Sequence, residues 1–427
     1  MPNNLALSEL NRGGRLDGAL SSLYGESGLS KALSRCEEVI FGFFKAFGYM
    51  PAALFSAPGR TELGGNHTDH QRGHVLAAAV DLDILAAVRP ASNGIIRVSS
   101  SGFPFIKVDL NELEPKGGEL GTSSALVRGI AARFASLGCK LSGTGFDAHI
   151  ISDIPGGSGL SSSAAFEVLI ATIINSFFME SRLDPVDIAQ IGQYAENVYF
   201  GKPCGLMDQA ASAVGGVAAI DLAENPRRLV RRLSLDLKSF GYALCILDSG
   251  AGHANLTGEY AAITGELKAI CSHFGKEVLR EVPEDAFMEA IPKLRREAGD
   301  RAVLRGLHFY SEDRRAVRQA QALESGDFDT FLELVRDSGV SSAMCLQNII
   351  PSGGVRNQEL MLTIKLCEHI LGGRGAVRVH GGGFGGTAQA FVPLDMLDPF
   401  KERIEAVIGK GGCHVLSIRP AGGIRII

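Results

Sequence analysis

Three stretches of the chain concentrate side chains able to do chemistry. The first is Pro155-Gly156-Gly157-Ser158-Gly159-Leu160-Ser161-Ser162-Ser163, followed by a long apolar run. Its glycines permit positive φ and close approach of a ligand, and three consecutive serines supply hydroxyls. A helix starting after such a turn offers unpaired N–H groups and partial positive charge, which suits a phosphate. The plainer alternative is a serine-rich helix N-cap. No Gly-x-x-x-x-Gly-Lys-Ser/Thr occurs, so a P-loop NTPase is excluded. The second stretch, Pro58-Gly59-Arg60 through Asn66-His67-Thr68-Asp69-His70, gathers a cation, an amide, imidazoles and a carboxylate around glycines. Such a set can hydrogen-bond several hydroxyls of one polar ligand, or it is a solvated loop. His67-x-x-His70 with Asp69 could suggest a metal site, but the adjacent-residue geometry is poor for it and no further ligand is evident. The third stretch, His380-Gly381-Gly382-Gly383-Phe384-Gly385-Gly386, formally matches a dinucleotide fingerprint. A strand-like segment, Ala388–Val392, follows it where that fingerprint needs a helix. A loop whose backbone passes close to phosphates or to the first turn is the better reading.

The elements that must position these stretches follow from periodicity. Residues 1–50 read as a helical leader, with Ala32, Leu33, Val39, Ile40 and Phe43 at helical spacing. Strands are expected at 52–57, 74–79, 84–88 and 95–98, the last entered by a hairpin-like Asn93-Gly94 turn. Ala148–Ser152 is a strand leading into the first glycine turn. Helices are expected at 124–137, 164–178 and 187–200. Strands return at 215–221 and 242–248, and 257–345 is helix-rich with charged faces. The closing strands are 374–380, 388–392, 413–418 and 424–427. Grouped strands and grouped helices predict an α+β fold. A boundary near 225, where Glu224-Asn225-Pro226-Arg227-Arg228 breaks the pattern, divides it into 1–225 and 226–427.

Bulk properties fit two globular domains. The chain has 427 residues, 45% hydrophobic and 21% charged, enough to bury a sizeable core. A net charge of −5 gives no reason to expect nucleic acid or an anionic membrane as partner. Eight scattered cysteines without a CxxC pair read as reduced thiols, and no signal segment or membrane span is evident. A cytoplasmic protein, monomeric or a small homo-oligomer, is expected.

In order and separation the three stretches resemble the motifs of the GHMP kinases, and of the galactokinase family in particular, from about Phe55 to Val392. Pro203-Cys204-Gly205-Leu206-Met207-Asp208-Gln209 resembles the segment bearing that family's catalytic aspartate. The resemblance implies two domains with the active site in the cleft between them. It implies ATP as co-substrate, Mg²⁺ as cofactor and a small-molecule sugar as acceptor. By the same resemblance, Asp208 activates the sugar hydroxyl and Arg60 holds Asp208 and the transferring phosphoryl group. Gly156, Gly157, Ser158, Gly159, Leu160, Ser161, Ser162 and Ser163 bind ATP, and Ser163 and Glu196 hold the metal. Asn66, His67, Asp69, Gly205, Asp208 and Tyr260 face the sugar, with plain packing the alternative for Tyr260.

Three departures stand out. Asn66 replaces the family's usual glutamate, Glu62 a usual asparagine, and His380 a usual small residue. An ionised glutamate only accepts hydrogen bonds, whereas an amide also donates. A lone amide at 66 therefore keeps galactose possible and eases entry of a sugar altered or acidic at C6. The expected activity is phosphorylation of galactose at its anomeric hydroxyl, with a galacturonate-type kinase second. A silent sugar sensor is a third reading, disfavoured because Ser161–Ser163, Arg60 and Asp208 are all present. A nicotinamide dehydrogenase has only the third glycine run to support it.

Overall fold

The computed structural model describes residues 14–223, 230–251 and 256–427. The expected boundary at 224–228 and the start of the leader helix lie outside them. Two sheets organise the rest. The first has eight strands: β1 (Ala53–Gly64), β2 (His74–Ala91), β3 (Ile95–Ser100), β4 (Ile106–Asp109), β5 (Gly145–Ser152), β6 (Val217–Asp221), β7 (Val230–Leu233) and β12 (Ile424–Arg425). The second is antiparallel, in the order β11 (Cys413–Leu416), β8 (Tyr242–Asp248), β10 (Thr387–Pro393), β9 (Ala376–Val379). With helices packed on both, this is a two-domain α+β fold.

All twelve residues of β1 are buried, and period-2 alternation explains how. Ala53, Phe55 and Ala57 point into the main core, with Val168, Leu169 and Ile173 of the helix Ser162–Phe178. Leu54, with Leu85 and Ala87 of β2, points the other way. There the leader helices Arg15–Tyr24 and Leu29–Phe47 cover the sheet through Leu16, Leu20, Val39 and Phe43. The main core continues into the second body through Leu244, Ile246, Phe331 and Phe391.

Several elements differ from the sequence reading. The segment read as two strands before Asn93-Gly94 is one, β2, because Asp83 in its middle is buried and neutralised. Asp83 is fully buried and accepts from Arg35 Nη1 and Arg419 Nη1, each at 2.7 Å, and from Tyr24 and Ser56 hydroxyls. Burial opposes ionisation of Asp83, but the two guanidiniums hold its carboxyl below the usual range. Asp83→Ala would leave buried Arg419 without its carboxylate and Arg35 with Asp153 alone at 3.4 Å, so a loss of about 3–5 kcal/mol is expected. A urea melt of the variant checks this; a melt within 1 kcal/mol of wild type, by the same rough scale, would mean the network carries little.

Asn93-Gly94 does not close a hairpin. β5 inserts between β2 and β3 and runs parallel to β3. The two final strands also part company: β11 pairs with β8 in the second sheet, and β12 with β1 in the first. The helix expected over 187–200 starts at Pro185 and widens at Ala195 into a π-helical turn to Phe200. All eight cysteines are free thiols. No described helix is long and apolar enough to cross a membrane.

Candidate active site

The Pro58-Gly59-Arg60 stretch is part of β1, not a loop. A register shift between Pro58 and Arg60 bulges the strand, and Gly59 admits a neighbouring carbonyl: a Cβ there would lie 2.9 Å from Leu160 O. Arg60 N donates to that oxygen at 2.9 Å. Arg60 Nη1 donates to Gly159 O, and its Nε and Nη2 form a two-pronged pair with Asp208, both at 2.7 Å. Asp208 sits in the first turn of the helix Met207–Val214. Burial works against its charge, yet the Arg60 guanidinium and the Ser161 hydroxyl hold its carboxyl below the ordinary carboxylate value.

Ser161 joins this pair to the first glycine turn. It stands just before the helix Ser162–Phe178 at φ 57°, a left-handed conformation unusual for a non-glycine residue. Its hydroxyl donates to Asp208 Oδ2 at 2.7 Å rather than capping the helix. The first N–H groups of that helix therefore have no side-chain cap, which suits an anion. Ser162 and Ser163 are exposed there, as are Gly156, Gly157 and Gly159. Ser158 and Leu160 are buried: the Ser158 hydroxyl closes the turn on Pro155 O at 2.7 Å, and Leu160 packs in the core. Beneath the turn lies His380, its ring between Thr61 Oγ1 (3.1 Å) and Thr387 Oγ1 (2.9 Å). Burial, with Arg60 and Arg378 adding to it, pushes its pKa down to about 3, so it is a neutral strut.

A cleft of about 580 Å³ opens beside Asp208, bordered by Arg60, Asn66, His67, Asp69, Gly205, Tyr260 and Gly382, among others. Asp69 lies against Gly205, where an added Cβ would come within 3.1 Å of its Oδ2. His67 and His70 form a directional chain. Gln71 Oε1 accepts from Leu279 N at 2.9 Å, so its amino group faces His70 Nδ1 at 3.2 Å. His70 Nε2 then meets His67 Nδ1 at 3.4 Å, and His67 Nε2 donates to Gly382 O at 2.9 Å. The two imidazoles are thus committed to each other and to the backbone. Burial lowers the His70 pKa to about 4.

Asn66 borders the cleft, but its side chain is interior. Nδ2 donates to Glu62 Oε1 (3.1 Å) and Gly381 O (2.8 Å), and Oδ1 accepts from Ser342 (3.2 Å) and Asn348 (2.9 Å). Its amide has no hydrogen-bonding capacity left for a sugar. Tyr260 donates to Gly383 O at 3.1 Å and packs edge-on against Phe384. The third glycine stretch is thus the β9–β10 turn, and its carbonyls at 381, 382 and 383 receive Asn66, His67 and Tyr260. Sequence reasoning missed the groups behind this wall. His308 and Glu312, four apart on the helix Asp300–Ser325, bind the backbone of residues 65–66, and Arg378 binds Glu62. The 308/312 spacing was the available signal, submerged in a helix whose charges read as a solvated face.

Glu196 is buried in the π-helical turn and accepts from Lys202 Nζ (3.0 Å) and Gln209 Nε2 (2.8 Å). The same Gln209 nitrogen donates to Glu167 at 2.9 Å. Glu167 lies four residues after Ser163, on the same face of its helix. Burial, then Glu196, pushes the Glu167 pKa up to about 9. Gln209 thus links Glu196 to Glu167, one turn along the helix from Ser163. A hydroxyl and a carboxylate are hard oxygen donors, a set that fits Mg²⁺ carried on nucleotide phosphates. Among the described residues no cluster of three or more His, Cys, Asp or Glu forms a self-sufficient metal cage.

Comparison with known proteins identifies the family of the chain. Residues 125–216 match the family described as GHMP kinases N terminal domain, and residues 42–90 match the galactokinase galactose-binding signature. A galactokinase of Streptomyces coelicolor is 30% identical over 389 residues, covering 90% of this chain and 96% of that one. A galactokinase of Streptococcus suis is 31% identical over 415 residues, covering 92% and 98%. The solved Lactococcus lactis galactokinase complexed with galactose superposes with a TM-score of 0.77 at 25% identity, covering 92% of this chain and all of that one. A mevalonate kinase shares the fold at a TM-score of 0.60 and 15% identity, covering 87% of this chain and all of that one. Identity at this level along nearly the whole of both curated relatives makes the chain a member of the galactokinase family of the GHMP kinases.

Proposed function

We propose that the protein transfers the γ-phosphoryl group of ATP to the anomeric hydroxyl of galactose. The observation that carries this reading is the meeting of three groups. Ser161, heading the phosphate-type turn, and Arg60 both bind Asp208 at the mouth of a sugar-sized cleft. Asp208, held ionised, orients the sugar hydroxyl toward the phosphorus. A carboxylate below its usual pKa is a weak base, so it takes the proton as the new O–P bond forms. Arg60 offsets charge on the phosphoryl oxygens. Ser163 and Glu196 would hold Mg²⁺, which supplies further charge neutralisation at the phosphates when bound. Asp69, the Gly205 backbone and the rim formed by His67 and Tyr260 would receive the sugar.

The charge of the cleft favours a neutral hexose over a sugar acid. Among the described residues its lining holds the carboxylates Glu62, Asp69 and Asp208, with Glu62 bound from behind by Arg378, and of Arg and Lys side chains Arg60 alone, already engaged by Asp208 and Gly159 O. A sugar carboxylate would enter without a free counter-charge. In a panel of free sugars with ATP, galactose is expected to exceed galacturonate in kcat/KM by about 100-fold or more. Faster turnover of galacturonate would overturn the assignment.

A further inference from the structure

Two of the chain's departures from the family pattern, Glu62 and Asn66, are the two ends of one hydrogen bond. The family pattern has the amide first and the carboxylate second, and here they are exchanged. The pair still holds one carboxylate and one amide in contact. Glu62 is buried on β1 and bound by the fully buried Arg378 of β9, whose Nη1 also donates to Leu63 O at 3.1 Å. Asn66 carries the link onward to Gly381 O at 2.8 Å, and Asn348, which donates to Asn66 Oδ1, also donates to Gly382 O at 3.2 Å. The unit therefore runs from the first sheet to the glycine turn that walls the cleft.

We propose that Glu62, Asn66 and Arg378 act as one positioning unit across the domain junction, setting the 381–383 wall of the sugar cleft. What matters is one carboxylate and one amide in the pair, with Arg378 dictating that the carboxylate sits at 62. Asn66→Glu alone would bury two carboxylates about 3 Å apart, which cannot both ionise, and would remove the donor to Gly381 O. Glu62→Asn alone would take from buried Arg378 the carboxylate that binds it, leaving Glu312, already paired with Arg315, as its remaining acidic neighbour. In the double variant the carboxylate meets the donors of Ser342 and Asn348, and an amide oxygen faces Arg378.

The test is a double-mutant cycle with two readouts: the melting temperature without ligands, and KM and kcat for galactose with ATP. Each single variant is expected to melt about 5 °C or more below wild type. Each should raise KM about 10-fold or more with kcat nearly unchanged, the signature of lost binding rather than lost chemistry. The double variant should melt clearly above the sum of the two single losses, because it relieves the contact between two carboxylates, yet stay below wild type because Arg378 then faces an amide; KM should follow the same order. A soluble double variant from singles that do not fold would be the same coupling in its strongest form. Losses that simply add, or a double variant that does not fold, would overturn the unit. Recovery in melting with KM unchanged throughout would overturn its role at the sugar wall. The KM arm rests on the galactose reading; if wild type does not turn over galactose, that reading fails while the melting arm still decides the coupling.

Discussion

Asp208→Asn should yield a folded protein that binds ATP and galactose yet turns over about 10²–10⁴-fold more slowly. The substitution keeps the shape of the side chain and one oxygen, which can still accept from Ser161 and from Arg60 Nη2. What it removes is the charge that orients the sugar hydroxyl and the site that receives its proton. Binding of both substrates by calorimetry, set beside single-turnover rates, separates the two effects. A kcat within a few-fold of wild type would remove Asp208 from the chemistry.

The larger loss is expected at Arg60. Its guanidinium grips Asp208 with two nitrogens and reaches Gly159 O with the third, so one side chain fixes both the carboxylate and the phosphate turn. Arg60→Met should lower kcat by about 10³–10⁵-fold, the scale for a cation serving phosphoryl transfer. It should also change the pH profile in a defined sense. In wild type, burial would raise the Asp208 pKa but Arg60 outweighs it, so the ionised form persists below the ordinary carboxylate value. Without Arg60 the burial effect prevails, and the acid limb of kcat moves to higher pH. An acid limb that stays in place while kcat falls would mean that Arg60 acts on the phosphate alone.

How much of this was legible depends on where the partners lie. The helix after the serine turn, the strand before it and the mixed architecture follow from local pattern and were readable. The long β2 was not, because Asp81-Leu82-Asp83 looks like a break. The groups that neutralise Asp83 sit at Arg35 and Arg419, far off in sequence. The same distance hid the fate of Asn66. Read alone, an amide replacing a carboxylate looks like a free hydrogen-bonding group facing the substrate. Seen with Glu62, Asn348 and Ser342, it is interior and saturated. Glu196 illustrates a third kind of gap: its helix was readable, but the widening at Ala195 that defines its setting has no evident local sequence signal.

β12 carries a consequence for biogenesis. Phe55 and Ser56 find their edge partners at Arg425 and Ile424, and Leu54 O receives Ile426 N. A ribosome must therefore deliver some 370 residues beyond Phe55 before that edge can be sealed, a count that follows directly from the pairing Phe55↔Arg425. Until then a nascent chain exposes an open strand flank, the kind of surface that recruits chaperones or a second copy of itself.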